Sequence, residues 1–459
     1  MSLEPAPASL VPQRCTLVLP SSGAFDSRAW RIASALAARG HAVTVMARQE
    51  PGLPAEEPHP SGYRVVRVPV SAAEGLPRPV RGLFGSLGRR RPGAAGAAVH
   101  TGEPPAPFAS PSTGRPASPS RGTGSGGRLR AAWWAVVRLA AIGLTARSQR
   151  LATRPHAPPA DLVHAMAYMG ISIGLDLGTR DHAPVIYDAR DIYVDAANLA
   201  RLPGPARWLF GRLERRWARR ASRVMTVNRP YAEVMAVRFD VPLPAIVMNC
   251  SYRRTVPARP REFHERLGLN AETRIVLYQG GLSSERGIEQ LIDALPGLPA
   301  DVHLCLLGYG PLERSLAAQA AKPATGGRIH VLPAVRPDEL LDWVASADVV
   351  AMPIQPTTLN HRLTTPNKLF EAMAVGVPVV ASDLPGMAEI VRATGCGLLC
   401  DPTSPVAIAT AIRALLDEPA AQRAARRGRT LAAVDDRYSW EAQVEVLLAE
   451  YGQLTGRPW

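Results

Sequence analysis

Residues 364–386 read TTPNKLFEAMAVGVPVVASDLPG. Thr365 suits a helix cap, Pro366 suits the first helical position, and an apolar stretch runs to Gly376 before the valine-rich residues 377–380. The grammar is helix, sharp turn, short buried strand. The helix start has no acidic residue in its first turn and does have Lys368, which leaves open amides and positive potential for an external anion. Glu371, one turn further in, is placed to accept hydrogen bonds from hydroxyls attached to that anion. A nucleotide diphosphate sugar has that layout. The plainer alternative is a solvated helix on which Lys368 and Glu371 pair at i,i+3.

The same alternation extends in both directions along the chain. In the first half, residues 15–19 form an apolar strand that enters the loop PSSGAFDSR. Ala29, Ile32, Ala33 and Leu36 then recur at helical spacing until Gly40, and HAVTVMA supplies a second strand. Residues 63–70 form a third strand; DLVHAM and PVIYDARD are two more, followed by a helix over 205–221, the strand RVMTVN and the closing run PAIVMNC. A Pro/Arg-rich linker at 253–261 leads into the second half, where RIVLYQGG, VHLCLLG, RIHVLPA, DVVAMPI and GCGLLC are strands separated by helices. Strands alternating with helices in both halves predict two doubly wound parallel sheets. The loop after the first strand lacks the G-x-G-x-x-G spacing, which disfavours a dehydrogenase.

At 459 residues with 46% hydrophobic content, the chain has room for two or three cores. Its formal charge is +14, and thirteen arginines against the single acid Glu103 place +12 of it between residues 78 and 154. The folded halves are therefore near neutral, and no specific nucleic-acid partner is expected. Residues 71–127 are mostly Pro, Gly, Ser, Ala and Arg and read as a disordered insertion. Residues 128–151 read as a helix, with Trp133 and Trp134 in an apolar middle flanked by arginines; it either packs on its own domain or lies on an anionic membrane surface. Five cysteines without a second close pair, no basic-then-apolar leader and no long apolar run predict a cytoplasmic protein, peripheral on the cytoplasmic face of the membrane in the second reading, with no metal site.

In order and spacing, YQGGLSSERGIEQLIDAL, LCLLGYGPLERSL, VLPAVRPDELLDWVASADVVAMPI and PNKLFEAMAVGVPVVASDLPGMAEIV resemble the family 4 glycosyltransferases, retaining enzymes of the GT-B fold that use nucleotide-activated sugars. The resemblance spans most of the chain outside 71–127. It implies an α/β GT-B architecture of two Rossmann-like domains facing a cleft. The first covers 13–252 on the acceptor side, the second covers 262–435 and binds the nucleotide sugar, and residues 436–459 form a helix returning to the first domain. It further implies that Gly280 and Gly281 admit the donor diphosphate, that Arg286 supplies a cation to it, and that Glu371 holds the ribose hydroxyls. Arg286 and Glu371 are thus the expected catalytic pair. Asn367, Lys368 and Leu369 complete the donor side, Val335 lies at the base, and Gly23 sits in the first loop near donor and acceptor.

Asp26, Arg28, His164 and Arg190 are the acceptor-side candidates; the plainer readings are a helix cap for Asp26 and Arg28 and a packed residue for His164. The chain departs from the family's usual pattern at three positions: Leu363 where an earlier glutamate is common, Gly281 where a basic residue is common, and Arg190 where a histidine is common. The implied reaction is retaining transfer of a sugar from a UDP- or GDP-linked donor to the hydroxyl of a glycan or lipid-linked acceptor in envelope or exopolysaccharide synthesis, with no separate cofactor. The alternatives are a catalytically inert membrane-associated partner subunit and a nucleotide-sugar 2-epimerase.

Overall fold

The computed structural model describes residues 11–24, 26–71, 125–200, 202–255 and 260–459. The first sheet contains β1 (Arg14–Val18), β2 (Ala42–Arg48), β3 (Glu56–Pro58), β4 (Arg64–Val68), β5 (Leu162–Met166), β6 (Val185–Asp188), β7 (Arg223–Thr226) and β8 (Ala245–Ile246). Their order is β3-β4-β2-β1-β5-β6-β7-β8, parallel throughout except for the β3–β4 pair. The second sheet, β9 (Arg274–Gly281), β10 (Val302–Tyr309), β11 (Ile329–Leu332), β12 (Val349–Met352), β13 (Val379–Ser382) and β14 (Gly397–Cys400), is entirely parallel in the order β11-β10-β9-β12-β13-β14. Both sheets are doubly wound. Strand order reverses at β1 in one and at β9 in the other, so the ligand crevice of each lies at the carboxyl ends beside those strands.

The structure adds helices that sequence periodicity conceals. DLVHAM and PVIYDARD, β5 and β6, are parallel neighbours joined by the helix Ala167–Asp181, which sequence reading does not place. Two parallel neighbours require such a crossover. Its signal is hidden by Gly170, Gly174 and Gly178, which look like breakers but let the helix lie close on the sheet: a Cβ at Gly174 would stand 2.5 Å from the Ala165 Cβ, and one at Gly178 would stand 2.2 Å from a Val185 methyl. The helix Arg229–Phe239 is a second addition, capped by the Asn228 side chain. The helix expected over 128–151 runs from Ser125 to His156, and the one expected over 205–221 spans Gly204–Ala218. Most of the expected insertion at 71–127, residues 72–124, lies outside the described residues.

The helix Trp440–Thr455 leaves the second domain and packs on the first, where Trp440, Val444, Leu447 and Tyr451 join a core with Leu17, Ile32 and Val45. Polar contacts fix its register: the Trp440 amide donates to the Ser251 carbonyl at 2.8 Å, and the Met248 amide donates to Gln443 Oε1 at 2.7 Å. Beneath this helix runs a buried polar chain. Tyr451 Oη and His164 Nδ1 are 2.7 Å apart, and His164 Nε2 is 3.2 Å from Asp188 Oδ2. Asp188 accepts from Arg28 Nε at 2.6 Å and Nη2 at 3.1 Å, and Arg28 Nη1 donates to the Val247 carbonyl at 2.8 Å. All four side chains are at most 1% exposed.

Burial alone would raise the Asp188 pKa, but Arg28 and His164 outweigh it and hold the carboxyl well below the usual carboxylate range. Replacing Asp188 with Ala leaves the Arg28 charge buried and unpaired, and the expected loss is about 3–5 kcal/mol. Hydrogen exchange in denaturant should show that loss at β5 and β6 while β9 and β12 keep their protection. A depressed carboxylate pKa stabilises above its unfolded value and loses that contribution as pH falls toward the folded value. First-domain stability should therefore decline below about pH 4, and the decline should be shallower in the variant.

Candidate active site between the domains

The expected donor residues gather at the carboxyl edge of the second sheet. Gly280 and Gly281 end β9, and Gly280 adopts a left-handed φ of 112°. β10 comes so close there that a Cβ at Gly308 would lie 1.9 Å from the Gly280 carbonyl oxygen, so the edge is bare backbone on both strands. The loop after β9 then turns through Glu285 (φ 70°) and Gly287 (φ 78°), presenting Arg286 between them. Among the described residues Arg286 has no ion-pair or hydrogen-bond partner, although its charge acts on Asp191, His361 and Lys368 around it. Val335 lies half-buried in the loop after β11, packed against the second-domain core.

The helix of the opening stretch spans Asn367–Val375, one residue later than expected: Pro366 occupies the cap position and no side chain caps the start. Thr365 is drawn away, because its hydroxyl accepts from Asn228 Nδ2 of the first domain at 3.1 Å. The first turn contains no acid. Leu369, expected at the donor, turns its side chain into the core and gives its amide to the Pro366 carbonyl, so Asn367 and Lys368 carry the free amides of this helix start. Lys368 is buried, with Nζ 3.5 Å above the centre of the Tyr278 ring. Burial, reinforced by Arg286, lowers the Lys368 pKa to about 7 against the opposing pull of Glu371. Burial raises the Glu371 pKa, while Arg31, Gln279 and Lys368 act in the other direction. Gln279 Nε2 reaches Glu371 at 3.3 Å, and its buried Oε1 has no partner among the described residues.

The first domain closes the other side. Gly23, in the loop after β1, accepts from Trp30 Nε1 at 2.8 Å. Asp26 caps the helix Ser27–Ala38 and accepts both bonds of Arg190 Nη1 at 2.8 Å, so these two acceptor-side candidates form one ion pair at the cleft. The other two do not reach it. Arg28 and His164 are consumed in the interior chain beneath the C-terminal helix and offer no free polar atom to an acceptor; they position the loop instead of touching a substrate. Sequence reading also misses Arg31, whose Nη1 holds Asn249 Oδ1 at 2.7 Å and the Cys250 carbonyl at 2.8 Å while its charge acts on Glu371.

Asn360 is the other missed residue. It sits in the helix Leu359–Leu363 of the second domain, yet its side chain is spent on the first. Oδ1 accepts from the Ile192 amide at 2.8 Å and Tyr231 Oη at 2.7 Å, and Nδ2 donates to Asp191 at 3.0 Å. A second link joins Asn249 to Asn367 at 2.6 Å. Leu363, the position of the absent glutamate, packs on the first-domain core and gives its carbonyl to Asn228 Nδ2 at 2.8 Å. The cleft thus has a cationic, amide-lined wall and an opposing wall locked to it by hydrogen bonds, one of them to the carboxyl group of Asp191. Among the described residues no three His, Cys, Asp or Glu side chains converge as a metal site.

This arrangement has counterparts. Residues 273–418 match the family described as glycosyl transferases group 1. Over 197 residues the chain is 33% identical to a D-inositol 3-phosphate glycosyltransferase of Xylanimonas cellulosilytica, covering 42% of this chain and 45% of that protein. It is 31% identical over 182 residues to a glycogen synthase of Mycobacterium tuberculosis, covering 38% and 42%. The chain spans less than half the length of these curated relatives. In three dimensions the likeness extends over nearly the whole chain: sucrose-phosphate synthase from Thermosynechococcus elongatus superposes with a TM-score of 0.68 at 19% identity, covering 97% of this chain and 99% of that one. The Anabaena protein HepE, solved with UDP and glucose, superposes with a TM-score of 0.61 at 16% identity, covering 96% and 100%. The architecture is GT-B, and the match to the glycosyl transferases group 1 family falls in its second domain.

Lys368 makes the site sensitive to pH. Near pH 7 it is about half protonated, and a diphosphate beside it would keep the proton on. Binding of a nucleoside diphosphate should then take up about half a proton near pH 7 and approach one as pH rises, and affinity should fall between about pH 7 and pH 9 by up to roughly tenfold per unit. Calorimetric titration in buffers of different ionisation enthalpy measures both effects; Lys368→Met should bind weakly with a flat profile.

Proposed function

We propose that this chain is a retaining glycosyltransferase that transfers a sugar from a nucleoside diphosphate sugar, UDP- or GDP-linked, to the hydroxyl of a glycan or lipid-linked acceptor in cell-envelope or exopolysaccharide synthesis. The observation that carries the reading is the uncapped helix start at Asn367, with Lys368 and the unpaired Arg286 beside the bare backbone of Gly280. In sugar transfer the bond from the anomeric carbon to the diphosphate oxygen breaks as the acceptor oxygen bonds to that carbon, negative charge accumulates on the departing diphosphate, and the proton of the acceptor hydroxyl passes to the diphosphate oxygen. Two fixed cations and oriented amides stabilise that charge without reorganising. Glu371 and the unpartnered Gln279 Oε1 are acceptors for the ribose hydroxyls, and Val335 lies alongside the base. The acceptor enters past the Asp26–Arg190 pair.

The names of relatives support the reading at the level of chemistry: one is a glycosyltransferase of an inositol phosphate, another a glycogen synthase, and one solved neighbour contains UDP with glucose. The inert-partner alternative keeps the fold without turnover. Donor hydrolysis by the purified chain separates the two, and thermal shifts across a panel of nucleotide sugars identify the base and sugar by mass action. Arg286→Ala and Glu371→Ala should each lower transfer or donor hydrolysis by roughly ten- to a thousandfold, the range for losing a charged or transition-state contact, with little change in melting temperature. Full activity in a folded Glu371→Ala protein would remove the ribose assignment.

A further inference from the structure

The helix Gly204–Ala218 crosses between β6 and β7 on the outside of the first domain, and its outer face is unusual. Trp208, Leu209 and Leu213 are 65%, 55% and 41% exposed. A soluble helix seldom leaves a tryptophan and two leucines together in water. Positions 208, 209, 212, 213 and 216 follow i, i+4 spacing, so the apolar trio and Arg212 and Arg216 share one stripe. The arginines do not point elsewhere for partners: Arg212 lies over the Trp208 ring at 5.6 Å, and Arg216 has no ion-pair partner among the described residues. The helix's single carboxylate, Glu214, is turned inward to accept from Tyr187 Oη at 2.6 Å.

Beside this stripe lies a groove of about 900 Å³ lined by Arg207, Arg212, Arg215, Arg216, Arg219 and Arg238. Those six guanidinium groups meet two carboxylates: Asp195 pairs with Arg207 and Arg238, and Asp240 pairs with Arg215 and Arg219. The groove reaches the segment that follows β6. Val194 and Asp195 line it, three and four residues beyond Asp191, which faces Arg286 and Asn360 across the domains.

We propose that the outer face of the helix Gly204–Ala218 seats the first domain on an anionic lipid bilayer, with Trp208, Leu209 and Leu213 entering the interface and the flanking arginines meeting lipid phosphates. The occupant follows from the combination. Basic charge alone would fit any polyanion, but a tryptophan and two leucines projecting between the arginines match the layered polarity of a headgroup region, and a duplex nucleic acid or acidic glycan has no apolar layer to receive the two leucines. Among the described residues no helix is long and apolar enough to cross a membrane, so attachment by this face is peripheral. Docking would hold the first domain, and with it the acceptor side of the cleft, at the membrane. The inference does not depend on the donor assignment, since it uses none of those residues.

Vesicle flotation of the full chain tests it, with phosphatidylcholine alone and mixed with phosphatidylglycerol. The chain should float with the mixed vesicles and release with salt. Trp208→Ser, Leu209→Ser and Leu213→Ser combined should weaken partitioning by at least about tenfold, and Arg212→Gln with Arg216→Gln should flatten its salt dependence. Unchanged melting temperatures qualify these surface variants as folded. Three outcomes overturn the proposal: no flotation at low salt; flotation unaffected by the apolar triple variant but abolished by Trp133→Ser with Trp134→Ser; or wild-type and triple variant binding duplex DNA and vesicles with equal affinity, which would make the surface a general polyanion site.

Discussion

The buried pair between Arg28 and Asp188 is the constraint on which the first domain's half of the cleft depends. Asp188 ends β6 and Arg28 lies in the first turn of the helix Ser27–Ala38, so their bond ties the loop after β1 to the loop after β6. A guanidinium and a carboxylate removed from water cost several kcal/mol each in desolvation and persist only with their bonds satisfied. His164 and the Val247 carbonyl complete that satisfaction, and Tyr451 of the returning C-terminal helix closes the chain. The C-terminal helix is therefore part of the first domain's polar interior as well as its apolar core. Two residues on from Asp188 and two before Arg28 lies the half-buried echo of the same link, Arg190 with Asp26, at the cleft.

On the opposite wall the physical situation is reversed. The first domain neutralises its charges internally, whereas the second leaves cations and amides without protein partners at the edge of its sheet. Arg286 unpaired, Lys368 drawn below its ordinary pKa by burial, and a helix start without a capping side chain are each unfavourable in isolation. Together they make a preorganised anion site. Asn360 holds this wall to the other through side-chain amide hydrogen bonds to the Ile192 amide, Tyr231 and Asp191, while Asp191 and Arg31 of the first domain add their own charges opposite Arg286 and Glu371.

What was legible in the sequence divides along the same line. The donor wall rests on local rules: a glycine-ended strand, a helix start without acids, and a lysine and glutamate at fixed offsets from that start. The doubly wound sheets were legible through strand-helix alternation, although the glycine-spaced helix Ala167–Asp181 was hidden because close packing on a sheet uses the residue that propensity treats as a breaker. Arg28 and His164 could not be placed from sequence, since Arg28 meets Asp188 at a separation of 160 residues and His164 meets Tyr451 at 287. Asn360 and Arg31 were missed for the same reason: an asparagine on a short helix and an arginine on an amphipathic one have no sequence signature until the opposing domain is in position.

Hydrogen exchange with and without a saturating nucleotide sugar tests the central claim most directly, because it reads every amide at once. The account predicts new protection at residues 280–288, at the helix start 367–371 and near Val335, with the interior strands β5 and β6 unchanged. Protection confined to other surfaces, or no change at the amides of Gly280 and Asn367 under saturating ligand, would contradict it.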